Sequence, residues 1–483
     1  MKKVVLPQEA ARVDRLAIES GSSEEAFVLA AGQSVARCAM EFLPQKVTLL
    51  IGKGNKGADG LAAGLFLARQ GVKVEALLLF PEESSTPLNR VLRNRLASQA
   101  VLREVGSDPF PDPEGDLLID ALFGTGFSGS VSGVAETAIR FANSSSRPIL
   151  AIDLPSGIDG ATGRVEGVAI RATLTVALGF AKIGCFLQEG WNHTGELRVE
   201  DFGLPLEWQK RAEPVAWLPE ATDFVLPPLV RNRHKYEAGY LVGFAGSTLF
   251  RGAPKLAGLA ALRSGAGIVR IFHKEDIGET PWELISQRWG KRAWERETER
   301  ASALFIGPGL GKGSLRWIEK IRRPLVLDAD ALQPGISFPP KAVLTPHRGE
   351  MARLLGYHDL LKEEELLERS QQFAKKHQVI LLLKGAPTFL LAHDMAPWIL
   401  TRGTPGMATA GTGDVLTGMI GAFLAQGMQP HKAAAFAAYL HGVAGEIAAA
   451  HKGPYGMMAS DLIEALPEAL RGKSVGLQKL PTH

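Results

Sequence analysis

Short, continuous apolar runs recur along the chain, and each ends in a cluster of Gly, Asp or Ser. Between them, apolar positions return at near-helical spacing, as at Leu61, Leu65 and Ala68 before Gly71. Continuous rather than alternating apolar strands, separated by helices, predict a mainly parallel sheet covered on both faces. In the first half the predicted strands are 47–51, 72–80, 117–119 and 148–152.

A second series of the same kind begins after residue 215, with strands predicted at 239–243, 303–306, 324–327, 342–344 and 379–383. Residues 207–229, rich in Pro and Trp, show no clear periodicity between the two series. A chain of 483 residues is also too long for one hydrophobic core. We therefore predict two α/β domains, 1–212 and 231–475, joined by a linker over 213–230.

Polar side chains stand where the predicted strands of the first half end. Ligands bind beyond the carboxyl ends of the strands in sheets of this kind. The sequence places five such residues there, which predicts a ligand site formed by Asn55, Asp59, Asp120, Asp153 and Ser156.

In the second half, residues 403–418 read GTPGMATAGTGDVLTG and lead into a predicted helix over 419–426. Glycines before a helix let backbone N–H groups approach an anion, and the helix N-terminus adds about half a positive charge. Asp414 lies inside this phosphate-binding pattern. One interpretation is a general base that takes the proton of a hydroxyl attacking a phosphoryl group. The other is a helix cap.

Composition narrows the class of protein. With 54 basic and 51 acidic residues the formal charge is +3, which indicates no large surface for nucleic acid or anionic membrane. Cys38 and Cys185 are the only cysteines, too few for a disulfide framework or a structural zinc site, and they fit a reducing compartment. The sequence shows no secretory signal and no apolar run near the roughly 20 residues that span a bilayer. We expect a cytoplasmic enzyme with no nucleic-acid or membrane partner.

A family resemblance rests on these and further motifs of the second half. Gly411-Thr-Gly-Asp414 resembles the anion hole and catalytic Asp of ribokinase-like kinases. More narrowly, the second half resembles the ADP-dependent NAD(P)H-hydrate dehydratases. The motifs are His234-Lys-Tyr-Glu-Ala-Gly239, Gly246-Ser247, Gly252-Ala-Pro254, Gly307-Pro-Gly-Leu-Gly311, Asp328-Ala-Asp330, Thr345-Pro-His347 with Gly349-Glu350, and Lys384-Gly-Ala386 with Thr388.

This resemblance implies a ribokinase-like α/β/α domain that restores hydrated NADH and NADPH. ADP phosphorylates the ring hydroxyl of the S hydrate, and phosphate then leaves, giving AMP, phosphate and the intact cofactor. The resemblance assigns the hydrate to Ala253, Gly309, His347 and Asp414, with Asp414 catalytic, and the nucleotide to Lys384, Gly385, Ala386, Pro387, Thr388, Gly411, Thr412 and Gly413. Phosphoryl transfer also predicts Mg²⁺, with Glu350 as its candidate ligand.

The first half resembles the NAD(P)H-hydrate epimerases, which implies a Rossmann-like, three-layer α/β/α domain that interconverts the R and S hydrates. The family loop reads GxGNNGGDG, whereas this chain has GKGNKGADG over 52–60, so Lys56 and Ala58 depart from it. The family's MENAG is replaced by VLAAG over 28–32. Matching segments are Asp120 with Gly124-Thr-Gly126, Asp153-Leu-Pro-Ser-Gly157, and Lys182 with Gly184.

The epimerase resemblance implies a hydrate site made of Asn55, Lys56, Gly57, Ala58, Asp59, Gly124, Thr125, Gly126 and Asp153. Exchange of configuration needs a group that assists loss and return of a hydroxyl or a proton, and Asp153 is the candidate. Its alternative is a turn residue before proline. Asp59 is expected to stabilise the loop or bind hydroxyls.

The resemblance further implies a potassium ion, held in relatives by the second loop Asn and by the residues matching Asp120 and Ser156. Here Lys56 replaces that Asn. Its ammonium could take the place of the ion, since it is compact and donates to the same oxygens. Alternatively, the loop has drifted and the domain is inactive, or Lys56 points to solvent and water replaces the ligand.

Three further hypotheses stay open at this point. The chain could be an active dehydratase with a degenerate epimerase domain, a ribokinase-like small-molecule kinase, or a non-catalytic module that binds nicotinamide nucleotides. The expected small-molecule partners are NAD(P)H hydrate and ADP, and we expect a homo-oligomer.

Overall fold

The computed structural model describes residues 1–106, 110–112, 114–229, 231–311 and 313–471. The chain divides into two compact units, residues 2–217 and residues 218–483 with Met1. This division falls inside the predicted linker, 213–230. Residue 230 of that linker and residues 472–475 of the predicted second domain lie outside the described residues.

The first unit alternates strands and helices, as the apolar pattern predicts. Its strands are β1 (Lys2–Val5), β2 (Lys46–Ile51), β3 (Lys73–Leu78), β4 (Val101–Glu104), β5 (Leu117–Ala121), β6 (Ile149–Ile152), β7 (Leu174–Leu178), β8 (Ala181–Lys182) and β9 (Glu196–Glu200), and β10 (Ala216–Leu218) lies at the division. Its helices are α1 (Pro7–Glu19), α2 (Glu24–Met40), α3 (Asn55–Arg69), α4 (Pro87–Ala97), α5 (Gly133–Ser144), α6 (Gly190–Thr194) and α7 (Leu206–Arg211).

The main sheet of this unit has the order β4-β3-β2-β5-β6-β7-β9, and neighbouring strands pair in parallel. Its two faces are covered by separate apolar clusters. Leu49 packs in a cluster with residues of α2 and α3, whereas the next residue, Leu50, packs with residues of α5. Because successive side chains of a strand point to opposite faces, this confirms the three-layer α/β/α arrangement.

The glycine-rich stretch 52–60 is a loop only at its start. The prediction of a loop throughout is wrong, because helix α3 already begins at Asn55. Two glycines of α3 allow close packing on the sheet. A Cβ on Gly60 would lie 2.4 Å from the Ala121 Cβ, and a Cβ on Gly64 would lie 2.7 Å from Leu49 Cδ1. Small residues therefore let the first turns of α3 press against β2 and β5.

The second unit repeats the pattern with longer connections. Its strands are β11 (Tyr240–Phe244), β12 (Ile268–His273), β13 (Ile285–Arg288), β14 (Ala303–Ile306), β15 (Leu325–Leu327), β16 (Val343–Leu344), β17 (Ile380–Leu383), β18 (Thr388–Ala392) and β19 (Met395–Leu400). Its helices are α8 (Ala253–Arg263), α9 (Lys291–Arg300), α10 (Arg348–Leu354), α11 (Glu363–His377), α12 (Thr412–Ala425), α13 (Pro430–Lys452) and α14 (Ala459–Arg471).

These strands run in the order β13-β12-β11-β14-β15-β16-β17-β18-β19. The pairs from β13 to β17 are parallel, and β17-β18 and β18-β19 are antiparallel. The carboxyl ends of β14 to β17 therefore meet along one edge of the sheet, where the motifs at 307–311, 328–330, 345–350 and 384–388 begin.

One sequence expectation fails in this unit. Helix α13 is long and apolar enough, by length and composition alone, to cross a membrane, although no such run was expected. Of its most apolar 18-residue window, 72% is buried inside the structure. Alanines at 433–435 and Phe436 belong to the core cluster that α12 and α14 also join. The helix is apolar around most of its circumference because it packs inside the domain.

Where α2 crosses α3, Gly32 leaves no room for a larger side chain. A Cβ at Gly32 would lie 2.5 Å from the Ala62 Cβ and 2.7 Å from the Ala62 backbone carbon. Alanine favours helix over glycine by about 1 kcal/mol, yet overpacking costs about 1–3 kcal/mol. We therefore expect Gly32→Ala to lower the unfolding midpoint of the first unit by a few degrees in differential scanning calorimetry.

The control is Gly106→Ala, at an exposed position where an added Cβ meets nothing within 4 Å. An unchanged or raised midpoint for Gly32→Ala, relative to this control, would show that the helix crossing has room to spare.

Candidate functional site

A cavity of about 820 Å³ opens at the carboxyl ends of β2, β5 and β6 in the first unit. Seven of the predicted epimerase residues line it: Asn55, Lys56, Asp59, Gly124, Thr125, Gly126 and Asp153. Gly57 and Ala58 do not. A Cβ on Gly57 would lie 2.0 Å from the Gly52 carbonyl oxygen, and the Ala58 side chain is fully buried in the core. Gly57 and Ala58 therefore pack behind the residues that line the cavity.

Lys56 is buried, with 5% of its surface exposed. Its Nζ lies 3.0 Å from Asp120 Oδ2, 2.9 Å from the Phe123 carbonyl oxygen, 2.7 Å from the Leu154 carbonyl oxygen and 3.0 Å from Ser156 Oγ. We call these four oxygens the oxygen cage. The alternative in which Lys56 points to solvent is wrong, because the ammonium sits at the centre of this cage.

Asp120 and Ser156, the two predicted potassium ligands, are bound to each other as well. The Ser156 hydroxyl donates to Asp120 Oδ1 at 2.6 Å, and the Ser156 backbone N–H donates to Oδ2 at 2.8 Å. The Leu122 N–H adds a third hydrogen bond to Oδ1 at 3.1 Å. Neither Asp120 nor Ser156 has any exposed surface. This carboxylate is therefore fully hydrogen-bonded behind the cavity.

Asp153 lies at the mouth of β6 in a left-handed backbone conformation, with φ of 66°. Non-glycine residues seldom adopt this region, and those that do cluster at functional sites. The Asp153 carboxylate accepts hydrogen bonds from the Lys182 ammonium and from the Leu178 N–H. Because Asp153 and Lys182 both line the cavity, the ion pair faces its interior.

Two further carboxyl groups, Asp14 and Asp59, line the same cavity. Burial raises the pKa of Asp14 to about 6; Lys182 opposes this and Asp153 adds to it. Burial, with the nearby Asp153 and Asp14, raises the pKa of Asp59 well above its ordinary value. Sequence reasoning missed Asp14, since α1 carries no motif there and only the fold brings it to the strand ends.

In the second unit Asp328 collects the polar groups of several elements. Its Oδ1 accepts from Lys384 Nζ and from Thr345 Oγ1, both at 2.8 Å, and its Oδ2 accepts from Thr417 Oγ1 at 2.8 Å. Burial lowers the pKa of Lys384, but Asp328 and the neighbouring Glu350 raise it by more, so the net shift is upward. The sequence analysis assigns no role to Asp328, whereas its hydrogen bonds connect the end of β15 to residues after β16 and β17 and to α12.

Asp414 is the third residue of α12, and Gly411, with φ of 94°, is its N-cap residue. The capping alternative for Asp414 therefore does not hold. Burial raises the pKa of Asp414 to about 7, with Asp328 adding to the rise and Lys384 opposing it. An added Cβ on Gly413 would lie 3.3 Å from Lys384 Nζ. The start of α12 thus brings together helix N–H groups, the Lys384 ammonium and the Asp414 carboxyl group, whose pKa is near 7.

His347 and Glu350 form a reciprocal cap at the start of α10. His347 Nδ1 accepts from the Gly349 and Glu350 N–H groups, and Glu350 Oε2 accepts from the His347 N–H at 2.8 Å. Among the described residues, no group of three or more His, Cys, Asp or Glu side chains could hold a metal ion. Glu350 as a magnesium ligand stays a prediction, with one carboxylate oxygen already used in the cap.

The other predicted dehydratase residues lie at the same edge. Gly309 follows β14, and a Cβ there would lie 3.0 Å from the Cβ of Ala253, at the start of α8. The segment 384–388 turns from β17 into β18, closed by a hydrogen bond of 2.9 Å from Thr388 Oγ1 to the Gly385 carbonyl oxygen. Gly385 and Ala386 are thus exposed beside Lys384, whereas Pro387 is buried. The Ser247 hydroxyl is buried without a partner among the described residues.

Comparison with known proteins decides the family. Residues 241–468 match the family described as NAD(P)H-hydrate dehydratase, and residues 24–184 match the YjeF-related protein N-terminus. The bifunctional NAD(P)H-hydrate repair enzyme Nnr of Moorella thermoacetica is 35% identical over 88% of this chain and 88% of its own length. The chain belongs to the family of bifunctional NAD(P)H-hydrate repair enzymes.

The repair enzyme Nnr of Escherichia coli is 35% identical over 86% of this chain and 84% of its own length. The enzyme of the same name from Coxiella burnetii is 32% identical over 94% of this chain and 96% of its own length. Among solved structures, an ADP/ATP-dependent NAD(P)H-hydrate dehydratase from Bacillus subtilis, co-crystallised with ATP and Mg²⁺, is 28% identical. It covers 53% of this chain and 99% of its own, with a TM-score of 0.47.

Asp328→Asn should destabilise the second unit. The substitution removes the hydrogen-bonded carboxylate that pairs with Lys384, whose side chain is 21% exposed. Breaking a buried pair in this way costs about 3 kcal/mol. We expect the calorimetric midpoint of the second unit to fall by several degrees.

Asp359→Asn, which removes an exposed charge on the same unit, is the matched control and should leave the midpoint unchanged. Equal midpoints for the two variants would contradict a supporting role for Asp328.

Proposed function

We propose that this chain repairs hydrated NADH and NADPH with both of its units. The second unit uses ADP to dehydrate the S hydrate to NAD(P)H, AMP and phosphate, and the first unit interconverts the R and S hydrates. The observation that carries the proposal is the position of Asp414 at the start of α12, beside Lys384 and the Asp328 network. The cavity of the first unit, with its Asp153–Lys182 pair, supports the second activity.

In the dehydration, Asp414 takes the proton of the hydrate hydroxyl while that oxygen attacks the terminal phosphoryl group of ADP. The new O–P bond forms as the bond to AMP breaks. The phosphorylated oxygen then leaves as phosphate, and the neighbouring ring carbon loses a proton to restore the double bond. A pKa near 7 suits Asp414 to this exchange at neutral pH.

The nucleotide phosphates would lie against the N–H groups of Gly411, Thr412 and Gly413 and the Lys384 ammonium. N–H groups in the first turn of a helix lack intrahelical acceptors, and the helix dipole favours an anion there. Mg²⁺ usually keeps several waters and is held by one or two carboxylates and the substrate phosphates, which a site without a preformed metal cluster can supply. It would neutralise charge on the transferred phosphoryl group, with Glu350 as the candidate ligand.

The epimerisation chemistry follows from the hydrate itself. Its hydroxyl is on the carbon bonded to the ring nitrogen, since water adds to the enamine of a dihydronicotinamide at that carbon. Loss of the hydroxyl as water leaves a C=N⁺ bond formed by the nitrogen lone pair. Water then returns to the opposite face and gives up a proton. The reaction therefore needs one proton donor, one proton acceptor and a nearby negative charge.

The cavity offers groups for each of these tasks. Asp153, which accepts hydrogen bonds from Lys182 and the Leu178 N–H, would take the proton of the returning water and stabilise the cationic ring. Asp59, whose raised pKa favours the protonated form, would donate to the leaving hydroxyl. Asp14, Glu19 and Glu24 are further carboxyl groups that line the cavity. A cytoplasmic location and a homo-oligomeric state stay predictions.

Asp414→Asn should lower the rate of AMP formation from S hydrate and ADP by at least a hundredfold, because general-base catalysis contributes about 10²–10⁴. In the unaltered protein that rate should fall about tenfold per pH unit below about 7 and level off above it, since the base must be deprotonated.

The readout is AMP and restored NADH by mass spectrometry at each pH. ATP-dependent phosphorylation of another alcohol, without restored NADH, would instead favour the small-molecule kinase.

A mixture of R and S hydrates tests the first unit. With ADP, we expect the unaltered chain to consume the whole mixture faster than it epimerises spontaneously, and Asp153→Asn to consume only the S half at that speed. Asp153→Asn must dehydrate pure S hydrate at the normal rate, which is the control for an intact second unit. Consumption of only half the mixture by the unaltered chain would favour a degenerate epimerase.

A further inference from the structure

We propose that the Lys56 ammonium is a covalently tethered substitute for a monovalent cation, so that the first unit neither binds nor needs potassium. The resemblance implies a potassium ion at this position. The residues present do not fit one, because the point that such an ion would occupy is taken by Lys56 Nζ.

The oxygen cage has the chemistry of a cation site rather than of an ordinary hydrogen-bonded lysine. It consists of two backbone carbonyl oxygens, a carboxylate oxygen and a hydroxyl oxygen, all within 3.0 Å of Nζ. Carbonyl oxygens of this kind replace the hydration shell of monovalent cations in proteins. An ammonium has three protons, and here it faces four oxygens. The oxygens are thus arranged around a central charge.

Charge balance requires the protonated form of Lys56. Burial lowers the pKa of Lys56, and the neighbouring Asp120 offsets only part of that shift. The Ser156 hydroxyl already donates its proton to Asp120 Oδ1, so its oxygen can only accept from Nζ. An uncharged amine would turn its lone pair toward this ring of acceptors and leave Asp120 as a buried, uncompensated charge.

The tethered cation also shapes the ligand cavity. Lys56 lies in the first turn of α3, Phe123 in the turn after β5, and Leu154 and Ser156 in the turn after β6. These segments border the cavity that contains Asp59 and Asp153. By holding these turns together, the Lys56 ammonium would keep Asp59 and Asp153 aligned in potassium-free buffer. This consequence for epimerisation rests on the proposed function.

The test measures the unfolding midpoint of the first unit by calorimetry in potassium, sodium or choline chloride of equal ionic strength. We expect the unaltered protein to show the same midpoint in all three salts, within about 1 °C. Lys56→Asn restores an oxygen ligand and opens the cage, so its midpoint should be lower in choline and rise by several degrees with potassium, saturably. Lys56→Met, with neither charge nor oxygen, should be lowered equally in all three salts.

Lys73→Asn, at an exposed lysine on the same unit, is the matched control and should not respond to the choice of cation. A potassium-specific rise in the unaltered protein would overturn the inference, and this measurement needs no variant to fold. A Lys56→Asn protein that folds but ignores potassium would overturn it too. Because unfolding requires no turnover, these outcomes are independent of the epimerase assay, whose failure would count against the proposed function instead.

Discussion

A buried lysine–aspartate pair at the carboxyl end of an inner strand is the interaction on which each unit depends. In the first unit Lys56 pairs with Asp120 on β5, and in the second Lys384 pairs with Asp328, directly after β15. Each strand lies between two parallel neighbours. A carboxylate there has lost its water, and it is tolerated only with a countercharge and several hydrogen bonds.

Each pair also adjusts the acidity of the groups beside it. Asp414 titrates near neutrality because burial and Asp328 raise its pKa while Lys384 limits the rise. In the first unit, Lys56 and Lys182 oppose the upward shift at Asp59 in the same way. The two candidate sites therefore share one arrangement, in which a lysine ammonium connects the turns after the strands and a neighbouring carboxyl group has a raised pKa.

Much of this arrangement follows from sequence, because continuous apolar runs mark strands and parallel strands bring their carboxyl ends to one edge. The predicted strands that end before Asp153 and Asp328 are found as β6 and β15, whereas β5 extends past the predicted residue 119 and includes Asp120. The position of Lys56 does not, since sequence permits a caged, drifted or solvent-exposed lysine and only the burial found in the fold excludes the last. Asp14 reaches the cavity through tertiary packing of α1, which no local spacing encodes.

The glycines show the opposite limit of sequence reasoning. The stretch 52–60 resembles a family loop, but helix α3 already begins at Asn55, and Gly60 lets that helix pack closely on β5. Alanine-rich α13 has the composition of a membrane segment, yet it fills the core of the second unit. In both cases the small residues indicate close backbone packing, but the sequence does not show which element the helix packs against.

Anomalous X-ray scattering from crystals soaked in rubidium chloride tests the central claim most directly, because rubidium can stand in for potassium. The account predicts no anomalous peak within the oxygen cage of the unaltered protein, and a peak bounded by Asp120, Ser156 and the Phe123 and Leu154 carbonyl oxygens in Lys56→Asn. A rubidium peak in the cage of the unaltered protein, with Lys56 displaced from it, would contradict the account.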